Sequence, residues 1–175
     1  MILTGSEIQK QVKNGSITIE PFDELLLNPN SYNYRLGKTL RIVTDELIDP
    51  RKEADYEELQ IPEEGYLLQP NKLYLGSTVE KIGSENFVTS LIGRSSVGRL
   101  GMYLQITADL GQLGRAHCWT LEIRVVQPLR VYAGMRIGQV SFWKPTGEIK
   151  QLYTEGYTRF DTPHQNKAIV TGEAI

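Results

Sequence analysis

One stretch of the chain carries a carboxylate in a place that chemistry could use. In Cys118-Trp119-Thr120-Leu121-Glu122-Ile123-Arg124, strand alternation puts Trp119, Leu121 and Ile123 on one face and Thr120, Glu122 and Arg124 on the other. If a second subunit covers that other face, Glu122 is partly desolvated, which suits a group that must accept and return a proton near neutral pH. The commoner role for an isolated Glu is an ion pair with Arg124 or another arginine on a wet sheet. A second stretch, Gly93-Arg94-Ser95-Ser96-Val97-Gly98-Arg99, follows the apolar run from Phe87 to Ile92. Two hydroxyls at a helical turn, with exposed N–H groups and two flanking cations, suit a phosphate. An ordinary Ser-capped turn with solvated arginines fits the same residues equally well.

Between them lies Gln105-Ile106-Thr107-Ala108-Asp109-Leu110-Gly111-Gln112-Leu113-Gly114, a strand running into a turn whose glycines allow close approach of backbone to a ligand. Asp109 reads either as a catalytic carboxylate or, more commonly, as a turn former. Tyr132-Ala133-Gly134-Met135-Arg136-Ile137-Gly138-Gln139 reads as scaffold. Two histidines, His117 and His164, and the single Cys118 are too few for a zinc site, which takes three or four such ligands.

The elements that must position these residues are mostly strands. Thr4 and Glu7 form a capping box, Ile8 and Val12 share a helical face, and Asn14-Gly15 supplies a stop, so a short helix is predicted over 4–14. Alternating or apolar runs follow at 32–36, 40–43, 66–69, 73–79, 87–92, 102–107, 119–126, 129–132 and 136–142. This rhythm predicts a mainly β sandwich, jelly roll or distorted barrel. The acidic stretch from Asp45 to Glu64 lacks periodicity and is expected to be a solvated surface loop.

At 175 residues and 19.8 kDa the chain fits one domain. A hydrophobic share of 40%, a charged share of 23% and a mean hydropathy of −0.30 describe a globular chain. A net charge of −2 gives no field for wrapping a nucleic acid polymer. No apolar stretch is long enough to cross a membrane, no signal peptide is evident, and a single cysteine suits a reducing compartment, so a cytoplasmic location is expected.

Taken in order, Asn28-Pro29-Asn30-Ser31 through Arg35-Leu36-Gly37, GRSSVGRLG, the Thr-Leu-Glu strand and YAGMRIGQVSF resemble the dCTP deaminase branch of the dUTPase-like superfamily, from Met1 to about Phe160. The resemblance implies a dUTPase-like, β-clip subunit with a distorted jelly-roll barrel, assembled as a homotrimer with nucleotide sites between subunits. It implies that Glu122 activates a water for attack at C4 of the cytosine without zinc, while Ser95 and Arg99 polarise the reacting groups or hold phosphate. The backbone at Ala108 would read the base edge. Arg94, Ser96, Gln112, Thr120, Tyr153 and Arg159 complete the expected substrate contacts, with Mg²⁺ carried by the triphosphate. The residues agree, because zinc deaminases use an H-x-E and a P-C-x-x-C that this chain lacks.

Three departures from the family pattern bear on the product. Gln112 stands where the family usually has an Asp that contacts the sugar and, in diphosphate-releasing members, assists hydrolysis. Asp109-Leu110 replaces the usual His-Arg or Gly-Phe. The closing segment, 154–175, carries Arg159-Phe160-Asp161-Thr162-Pro163 and a displaced Gln165, and is expected to fold over the triphosphate. The expected activity is therefore dCTP to dUTP and ammonia. A dUTP diphosphatase or a bifunctional enzyme releasing dUMP is the second reading, against which Gln112 argues because a neutral amide is not a base. A silent nucleotide-binding trimer is the third, against which Glu122 argues.

Overall fold

The first helix begins where Thr4 turns its hydroxyl back to accept from the Glu7 N–H at 3.4 Å. In the computed structural model, which describes residues 1–104 and 108–153, α1 spans Gly5–Lys13 and ends at Asn14, with Gly15 at φ 79°. Half of the expected capping box forms: the Glu7 carboxylate binds Gln11 Nε2 at 2.6 Å and lies 3.8 Å from Lys10 Nζ. Ile8 is fully buried and ties the helix to the core.

Eleven strands, a 3-10 turn at Glu24–Leu26 and one further short α-helix follow among the described residues. They are β1 (Thr18–Glu20), β2 (Tyr32–Arg35), β3 (Thr39–Val43), β4 (Tyr56–Gln60), β5 (Tyr66–Leu68), β6 (Tyr74–Gly83) and β7 (Val88–Gly93). The helical turn α2 (Ser95–Gly98) precedes β8 (Met102–Leu104), β9 (His117–Val125), β10 (Leu129–Val131) and β11 (Arg136–Trp143). The chain is mainly β, as its run spacing predicts.

All strand pairs are antiparallel. One sheet runs β4-β3-β6-β9-β8 with β1 beside the far end of β6, a second β2-β11-β7, and a small one β10-β5. Their inner faces meet in a core that includes Tyr32, Tyr34, Leu40, Tyr74, Leu121, Ile123, Val140 and Phe142. Such continuous apolar burial is the dominant favourable term for a chain of this size.

Two strands depart from expectation. β1 is too short to announce itself by alternation. β4 lies within the 45–64 stretch read as a solvated loop; it pairs with β3 in the register Arg41↔Glu58. Its sequence, YEELQ, is exposed along most of its length and carries no core signal. What fixes it is the partner: Arg41 Nε meets Glu58 Oε2 at 2.8 Å and its guanidinium stacks 4.5 Å from the Tyr56 ring centre.

β6 and β9 are the longest strands and the frame of the site. Their ladder shifts register between Ser77 and Lys81. Within the bulge Thr78 Oγ1 donates to the Glu80 carbonyl at 2.7 Å and accepts from the Trp119 N–H at 2.9 Å, replacing a ladder contact that the extra residues displace. The Glu80 carboxylate is turned inward and takes both the Arg35 N–H at 2.9 Å and Arg35 Nε at 2.6 Å. That hydrogen bond, more than any other influence, holds the Arg35 guanidinium above its ordinary pKa.

Candidate active site

Glu122 sits in the middle of β9 on the face opposite the core residues Leu121 and Ile123, as the alternation predicts. Its partner across the β6 ladder is Leu75, and Thr120 lies opposite Ser77. Above this face opens a cavity of about 480 Å³, within the roughly 300–1,000 Å³ of small-molecule sites. Ala108, Gln112, Thr120, Glu122 and Tyr153 all line it. Five residues singled out from sequence thus converge on one space, and Glu122 is half-buried there rather than turned to open water.

The connection after β8 shapes one side of the cavity by stitching itself to the edge of β7. Leu91 N donates to the Asp109 carbonyl and Gly111 N to the Thr89 carbonyl, each at 2.8 Å. Gly111 is required by this fit, since a Cβ there would collide with Thr89 Oγ1 and the Trp119 ring. Gly114 is required by the next one: Tyr153 N donates to the Leu113 carbonyl at 2.7 Å, and a Cβ on Gly114 would strike the Tyr153 carbonyl. Tyr153 is thereby fixed at the cavity wall.

Asp109 does not line the cavity. Ser90 Oγ donates to its carboxylate at 3.3 Å and its main chain carries the β7 contact, so the turn-forming role is the one the structure gives it. Trp119, expected on the core face, packs partly against the core and also reaches the cavity, with its indole N–H donating to the Ile82 carbonyl at 2.9 Å. The bulge in β6 beside it accounts for this departure from simple alternation.

The phosphate-binding candidates are elsewhere on the subunit. Arg94, Ser95, Ser96 and Arg99 belong to α2 and its caps, and none of the four lines the cavity. The serines do not cap the turn: Arg94 holds the N-cap position and makes no side-chain cap bond, while Ser95 and Ser96 are exposed within the turn. Arg159 lies outside the described residues.

Sequence reasoning missed the apolar wall. Val43 of β3, Leu73 just before β6 and Leu75 of β6 line the cavity, and Ile48 and Ala54 come from the stretch read as a solvated loop. No periodic signal marks Ile48 or Ala54, because irregular backbone carries them. Among the described residues, no helix is long and apolar enough to cross a membrane.

An antiparallel subunit of this build, with a carboxylate inside a nucleotide-sized cavity, falls in the dUTPase-like fold class. A crystal structure of 2′-deoxycytidine 5′-triphosphate deaminase from Agrobacterium tumefaciens superposes with a TM-score of 0.65 at 21% identity. That match covers 81% of this chain and 46% of that one, so the chain spans about half of that protein's length. The family model described as dCTP deaminase-like matches residues 2–145, and the chain belongs to the dCTP deaminase-like family.

Curated relatives agree. The chain is 49% identical over 157 residues to a protein of Leptospira biflexa named "dCTP deaminase, dUMP-forming", covering 90% of each. It is 47% identical to a protein of the same name from Hathewaya histolytica, over 89% of this chain and 90% of that one. With the Clostridium acetobutylicum protein of that name it shares 42% over 89% of each. The product in these names is dUMP, where the sequence reading favoured dUTP.

Proposed function

We propose that this protein is a hydrolase that converts dCTP to dUMP, ammonia and diphosphate, consuming two waters. The observation that carries the reading is the convergence of Glu122, Thr120, Gln112, Ala108 and Tyr153 on one cavity, in a chain close to relatives named for this reaction. Glu122 takes a proton from the first water as its oxygen bonds to C4. The same carboxylate returns the proton to N4, the C4–N4 bond breaks and ammonia leaves, while the second water proton passes to N3 as the C4 carbonyl forms. One proton-carrying side chain suffices for this step, so no metal-bound hydroxide is invoked.

The second water attacks the α-phosphorus and diphosphate leaves. Phosphoryl transfer of this kind passes through a loose transition state that needs positioning and charge stabilisation more than a strong base, and glutamine side chains orient the attacking water in some phosphoryl-transfer enzymes. Gln112, at the cavity edge, takes that orienting role. This removes the objection that a neutral amide raised against dUMP release. The nucleotide enters as its Mg²⁺ complex, the ion held by phosphate oxygens.

The active unit is a homotrimer in which α2 of a neighbouring copy brings Arg94, Ser95, Ser96 and Arg99 to the triphosphate. Two observations support this: none of these side chains lines its own subunit's cavity, and the surface around α2 exposes Ile92, Leu100 and Tyr103. Apolar exposure of that kind marks contact surfaces.

The test is to incubate the purified protein with dCTP, dUTP, CTP or dCMP and Mg²⁺ while following ammonia and diphosphate separately. Equal release of both from dCTP is expected. Ammonia without diphosphate identifies a dUTP-forming deaminase, diphosphate from dUTP alone identifies a diphosphatase, and release of neither from dCTP rejects the proposal.

A further inference from the structure

We infer that the apolar wall of the cavity is a binding surface for the C5 position of the pyrimidine, and that the enzyme deaminates 5-alkylated cytosine deoxynucleotides, 5-methyl-dCTP foremost. The inference rests on the reading that Glu122 works at C4. It follows from what flanks Glu122. In the sheet, β6 and β8 lie on opposite sides of β9. From the β6 side come Leu75, directly across the ladder from Glu122, and Leu73 two residues before it, then Val43 of β3. Ile48 and Ala54 extend this hydrocarbon surface. The connection that leaves β8 supplies Ala108, Leu110, Gly111 and, as a polar side chain on the cavity, the amide of Gln112.

Cytosine has the matching asymmetry. C4 lies between N3, which with O2 forms the hydrogen-bonding edge, and C5, which with C6 forms the hydrocarbon edge. With C4 at Glu122, the two edges run in opposite directions. Burying N3 and O2 against leucines without partners costs free energy, whereas burying C5 and C6 there is favourable. The polar edge therefore faces the Ala108–Gln112 side and C5 faces Leu75. At about 480 Å³ the cavity leaves room for a substituent on a single pyrimidine ring, and Ala54 is the smallest side chain of the wall.

The reaction balances without a further reactant. Water adds its oxygen to C4 of the 5-methylcytosine ring, Glu122 moves one of its protons to N4, the C4–N4 bond breaks, the other proton passes to N3 as the C4 carbonyl forms, and the products are ammonia and a thymidine nucleotide. Diphosphate release then proceeds as for the unmethylated base.

Steady-state ammonia release is compared for dCTP, 5-methyl-dCTP and 5-hydroxymethyl-dCTP. The expected kcat/KM for 5-methyl-dCTP is within about tenfold of that for dCTP, and at least tenfold above that for the polar, slightly larger 5-hydroxymethyl compound. Turnover of dCTP with a 5-methyl-dCTP value more than a hundredfold lower overturns the inference and leaves the proposed function standing. Equal use of the methyl and hydroxymethyl compounds also overturns it, because an apolar wall must distinguish them. No turnover of dCTP removes both. As a second measurement, Ala54→Phe narrows the wall and is expected to lower the ratio of 5-methyl-dCTP to dCTP kcat/KM at least tenfold; an unchanged ratio in a variant that still turns over dCTP contradicts the placement of C5.

Discussion

The fully buried Glu80 carboxylate clasps Arg35 twice, at its backbone N–H and at its guanidinium, and so joins β2 to the bulge of β6. Removing one partner of a buried pair leaves the other uncompensated, at a cost of roughly 3–5 kcal/mol. The Arg35 side chain keeps 28% exposure, so water relieves part of that. Glu80→Ala is expected to destabilise by about 3 kcal/mol, read from the denaturation midpoint. A loss under about 0.5 kcal/mol, the scale of ordinary surface substitutions, would remove the pair from the framework.

Glu122→Gln keeps the size of the side chain and removes its ability to carry a proton. Nucleotide affinity by calorimetry is expected within a few-fold of the parent, while ammonia release falls by about 10³-fold, near the middle of the range for general acid–base groups. Loss of binding together with turnover would instead make Glu122 a substrate contact.

If α2 serves a neighbour's cavity, two inactive variants can rescue each other. Ser95→Ala and Glu122→Gln, each nearly inactive alone, are expected to recover a fraction of parental activity after mixing and reassembly, because some interfaces then pair an intact α2 with an intact Glu122. Failure of rescue in verified mixed oligomers would place both groups in one subunit's site.

Tyr153 is anchored to the Leu113–Gly114 turn and lines the cavity. Deleting 154–175, which includes Arg159, is expected to raise KM for dCTP at least tenfold with the oligomer unchanged by sedimentation. Unaltered kinetics would show that this segment does not cover the nucleotide.

Tyr34 is fully buried, with its hydroxyl donating to the Ile92 carbonyl at 3.2 Å, and burial raises its phenol above the ordinary value. The folded chain therefore holds that proton more tightly than the unfolded chain. The stability this contributes is complete below about pH 10, the unfolded value, and is lost as pH rises beyond it. Tyr34→Phe is expected to cost about 1 kcal/mol at neutral pH, the net value of one hydrogen bond, and to flatten the alkaline limb of the stability profile. A limb of unchanged steepness would assign alkaline unfolding to other groups.

Much of this arrangement is legible in the chain. Apolar or alternating runs mark β2, β3 and every strand from β5 to β11, and the alternation around Glu122 places it opposite Leu121 and Ile123. What local pattern cannot reveal are relationships between distant segments. The Thr78–Trp119 contact that shifts the β6–β9 register is one. The Arg41–Glu58 pair that recruits β4 is another. Ile48 and Ala54 reach the site on irregular backbone, and α2 reads as phosphate-binding although none of its described residues lines the Glu122 cavity. The sequence reading weighed Gln112 only as a base, whereas under the proposed function it orients a water, a role that a neutral amide can fill.

The Asp109–Gly111 seam along β7 has a second effect, on solubility. β7 ends its three-stranded sheet, and an uncovered outer strand offers N–H and C=O groups to any passing chain, a route to aggregation. The loop that contours the cavity also seals that border. Substitutions chosen to retune specificity there thus risk insoluble protein as well as altered kinetics, and screens of such variants need to score recovery alongside rate.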